Sequence, residues 1–271
     1  MSITGAPRVG SKALDRGALE AALGRVRDRI ASLEVLSEVD STSSHLARQA
    51  PSLDGRVRLC VAEVQTAGRG RRGRRWQAPP GTGITFSLMR VFPGSASELG
   101  PLALAAGVLV AETLRAHGVD GVGLKWPNDL VVDGAKLGGI LVEVDGGAVP
   151  RAIVGVGLNH DRGDAVPSVD QPVTDIRRAA SVKLARARLA GAVMGALVEG
   201  LDRFAVCGFR PFQSAWGRLD ALAGSAVRVV REDGAETGIA RGVAADGGLR
   251  VETARGLRVF HSGEVSVRAV P

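Results

Sequence analysis

Hydrophobic positions recur at two spacings along the chain, and the switches between them divide it into elements. Leu19, Leu23, Val26 and Ile30 follow Asp15 at helical spacing, which predicts a capped amphipathic helix. After Glu34 the run EVLSEV predicts a strand. It ends at Asp40-Ser41-Thr42, whose side chains can accept the first free N–H groups of a following helix. Residues 58–64 (RLCVAEV) and 84–91 (ITFSLMRV) predict two further strands, and 97–117 a long helix with an Ala-rich buried face closed by Gly118. VGLKW, LVV, KLGGILVEVD and RAIVGVGL then read as strands, with Asp133-Gly134 and Gly146-Gly147 placed as turns. Residues 160–176 are polar and aperiodic, a long loop of the kind that usually carries function. Residues 181–206 and 208–219 predict helices. From about residue 223 the pattern changes to short strands with Gly turns (VRVV, TGIARGV, GLRVE, LRVF, VSVR).

The fold class is therefore α+β, a mixed sheet with flanking helices followed by a small β-barrel of SH3-like strand spacing. The expected division is a flexible tail over 1–14, a catalytic domain over 15–221 and a C-terminal β domain over 222–271.

Composition narrows the class. The chain has 271 residues, 45% hydrophobic and 23% charged, which suits a globular protein with a real core. No run reads as a membrane span and the N-terminus has no apolar signal region, so a cytoplasmic, membrane-free protein is expected. Cys60 and Cys207 have neither metal-ligand spacing nor a disulfide pattern. The net charge of +7 is concentrated: five arginines lie within 69–75, and without them the excess of cations is two. That favours a local anion site over a general polyanion-binding surface.

Three stretches carry candidate chemistry. In Gln65-Thr66-Ala67-Gly68-Arg69-Gly70-Arg71-Arg72-Gly73-Arg74-Arg75-Trp76, glycines allow close backbone approach to a ligand and arginines supply forks for phosphate oxygens. The same composition also suits a solvated loop or a nucleic-acid patch. In Lys125-Trp126-Pro127-Asn128-Asp129, Trp126-Pro127 breaks a strand and exposes Asn128 and Asp129; Lys136 opens the next strand beside Gly138 and Gly139, within reach of a phosphate or carboxylate. A plain Pro-Asn-Asp turn with a surface lysine is the alternative. In Gly155-Val156-Gly157-Leu158-Asn159, two glycines mark close backbone approach, and Asn159 could read an adenine edge. No P-loop, GxSxG or HExxH pattern is present, and the four histidines show no ligand spacing and read as surface residues.

Taken in order, Asp40-Ser41-Thr42, Glu63 to Trp76, Lys125 to Asp129, Lys136 to Glu143, Gly155 to Asn159 and Ser262-Gly263-Glu264-Val265 resemble the bacterial biotin–[acetyl-CoA-carboxylase] ligases, over roughly residues 34–271. The resemblance implies a class II synthetase-like catalytic domain with an SH3-like C-terminal domain. It also implies a reaction: biotin and ATP, with Mg²⁺, give biotinyl-5′-AMP and pyrophosphate, and biotin then passes to one lysine of a biotin carboxyl carrier domain. By the same resemblance Ser41, Thr42, Ser43, Gln65, Gly68, Arg69, Gly70, Arg71 and Lys136 bind biotin, and Lys136, Arg69 and Arg71 are catalytic. Asn128, Asn159 and Arg71 hold the nucleotide, with Mg²⁺ carried mainly by ATP. Asp129 is a candidate to position the acceptor lysine. Family members usually have Asn where this chain has Ser43.

Some members carry an N-terminal DNA-binding domain and repress transcription. Only about 33 residues precede the resemblance here, with one predicted helix, so a ligase without specific DNA binding is expected. A homodimer is compatible with the family. A lipoate ligase would share the chemistry but should show an RRxxGGG-type segment, which is absent. A nucleic-acid module would need stacking aromatics, and the chain has 3 Trp, 6 Phe and no Tyr.

Overall fold

The computed structural model describes residues 14–147, 149–163, 171–231, 234–262 and 266–269. Seven strands form the main sheet: β1 (Ile30–Val39), β2 (Val57–Gln65), β3 (Gly83–Val91), β4 (Gly123–Lys125), β5 (Asp129–Val132), β6 (Ala135–Asp145) and β7 (Arg151–Asn159), in spatial order β1-β2-β3-β7-β6-β5-β4. β1 and β2 are parallel, joined through α2 (Thr42–Ala47); the other neighbours are antiparallel. The sheet is mixed, as expected.

Strand alternation gives the sheet two unlike faces. Leu59, Val61, Ile84, Phe86, Leu88, Val154, Val156 and Leu158 share one face and are fully buried or nearly so. They form a core with α1 (Arg16–Leu23), α3 (Leu102–Ala116) and α5 (Arg186–Cys207). Gly191 of α5 lets its backbone meet that of α1, since a Cβ there would stand 2.7 Å from the Leu19 carbonyl oxygen. On the other face α2 covers a much smaller cluster of Leu46, Cys60, Met89 and Ile153 with Leu36 packed against it, and β3 and β7 place Thr85, Ser87, Gly155 and Gly157 beside it.

The C-terminal strands β8 (Ala226–Arg231), β9 (Gly234–Val243), β10 (Leu249–Thr253), β11 (Gly256–Phe260) and β12 (Ser266–Ala269) form an antiparallel sheet in the order β11-β10-β9-β8-β12. Its buried Val227, Val229, Leu249 and Val251 join the main core near Trp216 of α6 (Arg210–Leu219). Two hydrogen bonds fix the join: Trp126 Nε1 donates to the Gly247 carbonyl (3.0 Å) and Gln213 Nε2 to the Val243 carbonyl (3.2 Å).

Several sequence expectations shift. The first helix stops at Leu23, where Gly24 takes φ +55°; a 3₁₀ turn follows, and Ile30 enters β1 instead of the helix face. The predicted 97–117 helix is a 3₁₀ turn (Ala96–Leu99) followed by α3, because Pro101 at the junction has no N–H to continue the ladder. Gly118 closes α3 with φ +82° as predicted. The 3₁₀ turn and α3 together are long and apolar enough to cross a membrane by composition alone, but most of that stretch is packed inside the protein. The fifth helix begins at Arg186, not 181, and a short α4 (Ile176–Ala179), capped by Asp175, starts at the last residue of the expected loop. Of that loop, 164–170 lie outside the described residues, as do 1–13 of the expected tail. Leu14, assigned to the tail, is buried, and its N–H donates to Glu63 (3.2 Å).

Candidate functional site

The second face of the sheet builds the site. Its register sets Ser87 of β3 beside Gly155 of β7, and Gly155 beside Leu141 of β6. One step along lie Thr85, Gly157 and Gly139. Three strands thus present a floor of glycines and hydroxyls, edged by Leu141, where the opposite face presents Leu, Val and Phe. Gly157 has no room for a side chain: a Cβ there would overlap the indole of Trp76, which lies on the strand as a cover.

At the end of β1, Ser41 caps α2 by accepting from Ser44 N–H (3.4 Å), so Thr42 and Ser43 face inward; all three are buried. Gln65, at the end of β2, accepts at Oε1 from Thr42 N–H (2.8 Å) and Thr42 Oγ1 (3.1 Å). Ser87 Oγ lies 2.7 Å from Thr42 Oγ1 and 2.9 Å from Ser43 Oγ. This is a neutral polar pocket.

The arginine loop crosses its mouth. It is folded on itself: Gly70 N–H donates to the Arg74 carbonyl (2.7 Å) and Trp76 N–H to the Gly68 carbonyl (3.0 Å). A Cβ at Gly68 would overlap the Trp76 carbonyl, and Arg72 at the tip takes φ 56°. Arg69 spans from Ser44 Oγ (3.4 Å) to Glu143 (2.6 Å), and Arg71 donates to Asn128 Oδ1 (3.2 Å) and to the Ser262 carbonyl. Burial first, then the neighbouring Arg72 and Arg74, push the Arg71 guanidinium below its usual range, against the pull of Asp129. A cation so placed gains from an incoming anion.

The Lys125–Asp129 segment forms the β4–β5 turn, with a cis Trp126-Pro127 bond. Trp126 is buried. Asn128 Nδ2 donates to the Ile140 carbonyl (2.7 Å), which aims Oδ1 at Arg71. Asp129 accepts from Lys136 Nζ (2.7 Å), both largely buried over Gly139. Lys136 is fixed through its backbone, since its N–H donates to the Pro172 carbonyl and its carbonyl accepts from Thr174 N–H (2.8 and 2.9 Å). Asn159, buried, donates to the Lys136 and Thr174 carbonyls (3.2 and 3.0 Å) and accepts from Arg162 (3.4 Å).

The structure therefore brings Ser41, Thr42, Ser43, Gln65, Gly68, Arg69, Gly70, Arg71, Asn128, Asp129 and Lys136 around one cleft. Asn159 stands at its edge, with its amide N–H groups on main-chain carbonyls. Of the Ser262–Val265 motif only Ser262 is described. Ser87 and Glu143 were assigned no role from the sequence. Ser87 had a legible signal, a hydroxyl at the alternate position of ITFSL; Glu143 had none beyond its place in the KLGGILVE run. Two histidines expected at the surface are half-buried: His45 bonds Glu34 (2.8 Å), and His160 bonds the Leu184 carbonyl (3.2 Å), burial holding it below its usual range.

Residues 39–159 match the Biotin/lipoate A/B protein ligase family and residues 223–268 the Biotin protein ligase C terminal domain. The bifunctional ligase/repressor BirA of Escherichia coli is 35% identical over 241 residues, 88% of this chain and 74% of that protein. The biotin–[acetyl-CoA-carboxylase] ligase of Mycobacterium tuberculosis is 35% identical over 242 residues, 86% of this chain and 88% of that one. The biotin protein ligase of Aquifex aeolicus, solved in complex with biotin and ATP, superposes with a TM-score of 0.76 at 29% identity, covering 89% of this chain and all of that one. The chain belongs to the biotin–protein ligase family, as an enzyme of the biotin–[acetyl-CoA-carboxylase] ligase type.

Proposed function

We propose that the cleft joins biotin to AMP and then hands biotin to a lysine of a biotin carboxyl carrier domain. In the first step the biotin carboxylate oxygen attacks the α-phosphorus of ATP and pyrophosphate leaves. In the second the neutral lysine amine attacks the acyl carbon, AMP leaves, and the amide forms with loss of one proton. The observation that carries this reading is the convergence of Lys136, Arg69 and Arg71 beside a neutral hydroxyl and amide pocket. The carboxylate is ionised at neutral pH and needs no base; what the step requires is positive charge where charge builds on phosphate oxygens.

Roles follow from position. Ser41, Thr42, Ser43, Gln65, Gly68 and Gly70 line the biotin side. Lys136, Arg69 and Arg71 meet the carboxyl and phosphate, exchanging Asp129, Glu143 and Asn128 for the ligand. Asn128 and Asn159 hold the nucleotide side by fixing Arg71 and the Lys136 strand. Asp129, once released by Lys136, is placed to orient the acceptor amine. Among the described residues no three acidic, His or Cys side chains stand together to hold a metal, and the cleft's Asp129 and Glu143 already face cations. We assign Mg²⁺ to the ATP phosphates, whose oxygens are hard ligands suited to it. The reaction is placed in the cytoplasm, where ATP is available. We keep the division into a catalytic domain over 15–221 and a C-terminal domain over 222–271, which the two sheets support.

The test is biotin-dependent pyrophosphate release from ATP and Mg²⁺. Lys136→Ala should lower it by roughly 10²–10³-fold, the usual effect of removing one stabiliser of transition-state charge. Release with lipoate but not biotin would keep the chemistry and change the substrate. Release with neither acid would overturn the reading.

A further inference from the structure

The hydroxyl chain in the pocket has only one consistent arrangement of protons. The backbone N–H of Thr42 can only donate, so the atom of Gln65 facing it is the amide oxygen, at 2.8 Å. That oxygen cannot donate, so the Thr42 hydroxyl, 3.1 Å away, spends its proton on it. Ser87 must then donate to Thr42, across 2.7 Å, and Ser43 must donate to Ser87, across 2.9 Å. Protons run Ser43 to Ser87 to Thr42 to Gln65. The two ends are left with opposite characters. Ser43 Oγ has lone pairs and no spare proton; Gln65 Nε2 has N–H groups to give.

Gly155 keeps this end open: a Cβ there would press on Ser43 Oγ at 2.9 Å and Ser87 Oγ at 3.4 Å. A fitting head group offers N–H to Ser43 and a carbonyl to Gln65, the pattern of a cyclic urea or amide. A sulfur heterocycle without N–H satisfies neither.

We propose that Ser43 is a specificity-determining residue that accepts an N–H from the head group of the acid, with its acceptor character imposed by Ser87. This rests on the biotin reading above and assigns the position where the chain departs from the family's usual Asn. An asparagine amide could turn either end to the ligand; a serine at the end of this chain cannot.

The experiment compares biotin with its cyclic carbonate analogue, in which ring oxygens replace both N–H groups, by calorimetry and pyrophosphate release. Against wild type, Ser43→Ala should raise the KM for biotin about tenfold with kcat within twofold, the scale of one neutral hydrogen bond at a site remote from the reacting carboxyl. The preference for biotin over the carbonate should shrink by a similar factor. Ser87→Ala should also shrink it, although Ser43 is still present, because the Ser43 proton is freed to turn toward a ring oxygen. The preference is a ratio of two affinities for one preparation, so loss of folded protein does not move it. An unchanged preference in Ser43→Ala overturns the proposal; an unchanged preference in Ser87→Ala overturns the relay. A wild type inactive with biotin would instead overturn the functional reading itself.

Discussion

The two faces of the seven-stranded sheet use the same strands for opposite ends. On β3, Ile84, Phe86 and Leu88 point into a core covered by three helices, while Thr85 and Ser87 point into the cleft. On β7, Val154, Val156 and Leu158 are core residues, and Gly155 and Gly157 between them are floor. Because side chains alternate along a strand, stability and recognition are written into alternate letters of one sequence. The core face buries large apolar surface and fixes the sheet; the site face gives up that burial, keeping small residues where a ligand and Trp76 must approach. The difference is also electrostatic. The cleft gathers the loop arginines and Lys136 with partners that an anion can replace, whereas the packed side pairs its charges within the fold, Arg186 with Glu63 and Arg90 with Asp202.

Neighbouring substitutions should separate the faces. The largest effect is expected at Phe86→Ala, a buried aromatic replaced by a cavity: about 3–5 kcal/mol lost in denaturant unfolding. Any surviving folded protein should bind biotin nearly normally. Gly157→Ala, on the adjacent strand but the other face, should displace Trp76 from the floor. We expect at least a ~30-fold fall in kcat/KM with a far smaller change in unfolding free energy, on the order of 1–2 kcal/mol. Equal losses of stability at both positions would dissolve the distinction between faces.

The smallest effect tests a buried carboxylate away from the cleft that has no cation beside it among the described residues. Asp220, between α6 and β8, bonds Leu222 N–H (2.9 Å) but leaves Oδ2 buried with no partner, and burial raises its carboxyl to about 6. The folded state therefore holds this proton more tightly than the unfolded chain does. Its contribution is fully present below about pH 4 and is lost as pH rises toward 6 and beyond. Asp220→Asn keeps the acceptor for Leu222 and removes the charge. It should stabilise the protein by about 1–2 kcal/mol at pH 7.5 and by nothing at pH 4. A gain that is the same at both pH values would mean the carboxylate is not the cause.

Much of this was legible in the chain. Period-two runs marked β2, β3, β6 and β7; Asp133-Gly134 marked the β5–β6 turn, both with positive φ; and the Gly-Arg loop, Lys125–Asp129 and Lys136 marked the cleft. Helix boundaries were less legible. Ile30 sat at helical spacing yet pairs with Val57 in the sheet, and Pro101 divided a run that hydrophobicity alone joined.

The sequence by itself determined the elements, the family and the residue types the chemistry needs, because turn residues and side-chain periodicity act over a few positions. Only the tertiary structure decided which groups meet. Ser43 reaches Ser87 across 44 positions, Arg71 reaches Asn128 across 57, and Arg186 pairs with Glu63 across 123. Those meetings depend on the strand order and on the helices laid against it, with β7 inserted between β3 and β6, an arrangement set by how the whole core packs and not by any local pattern.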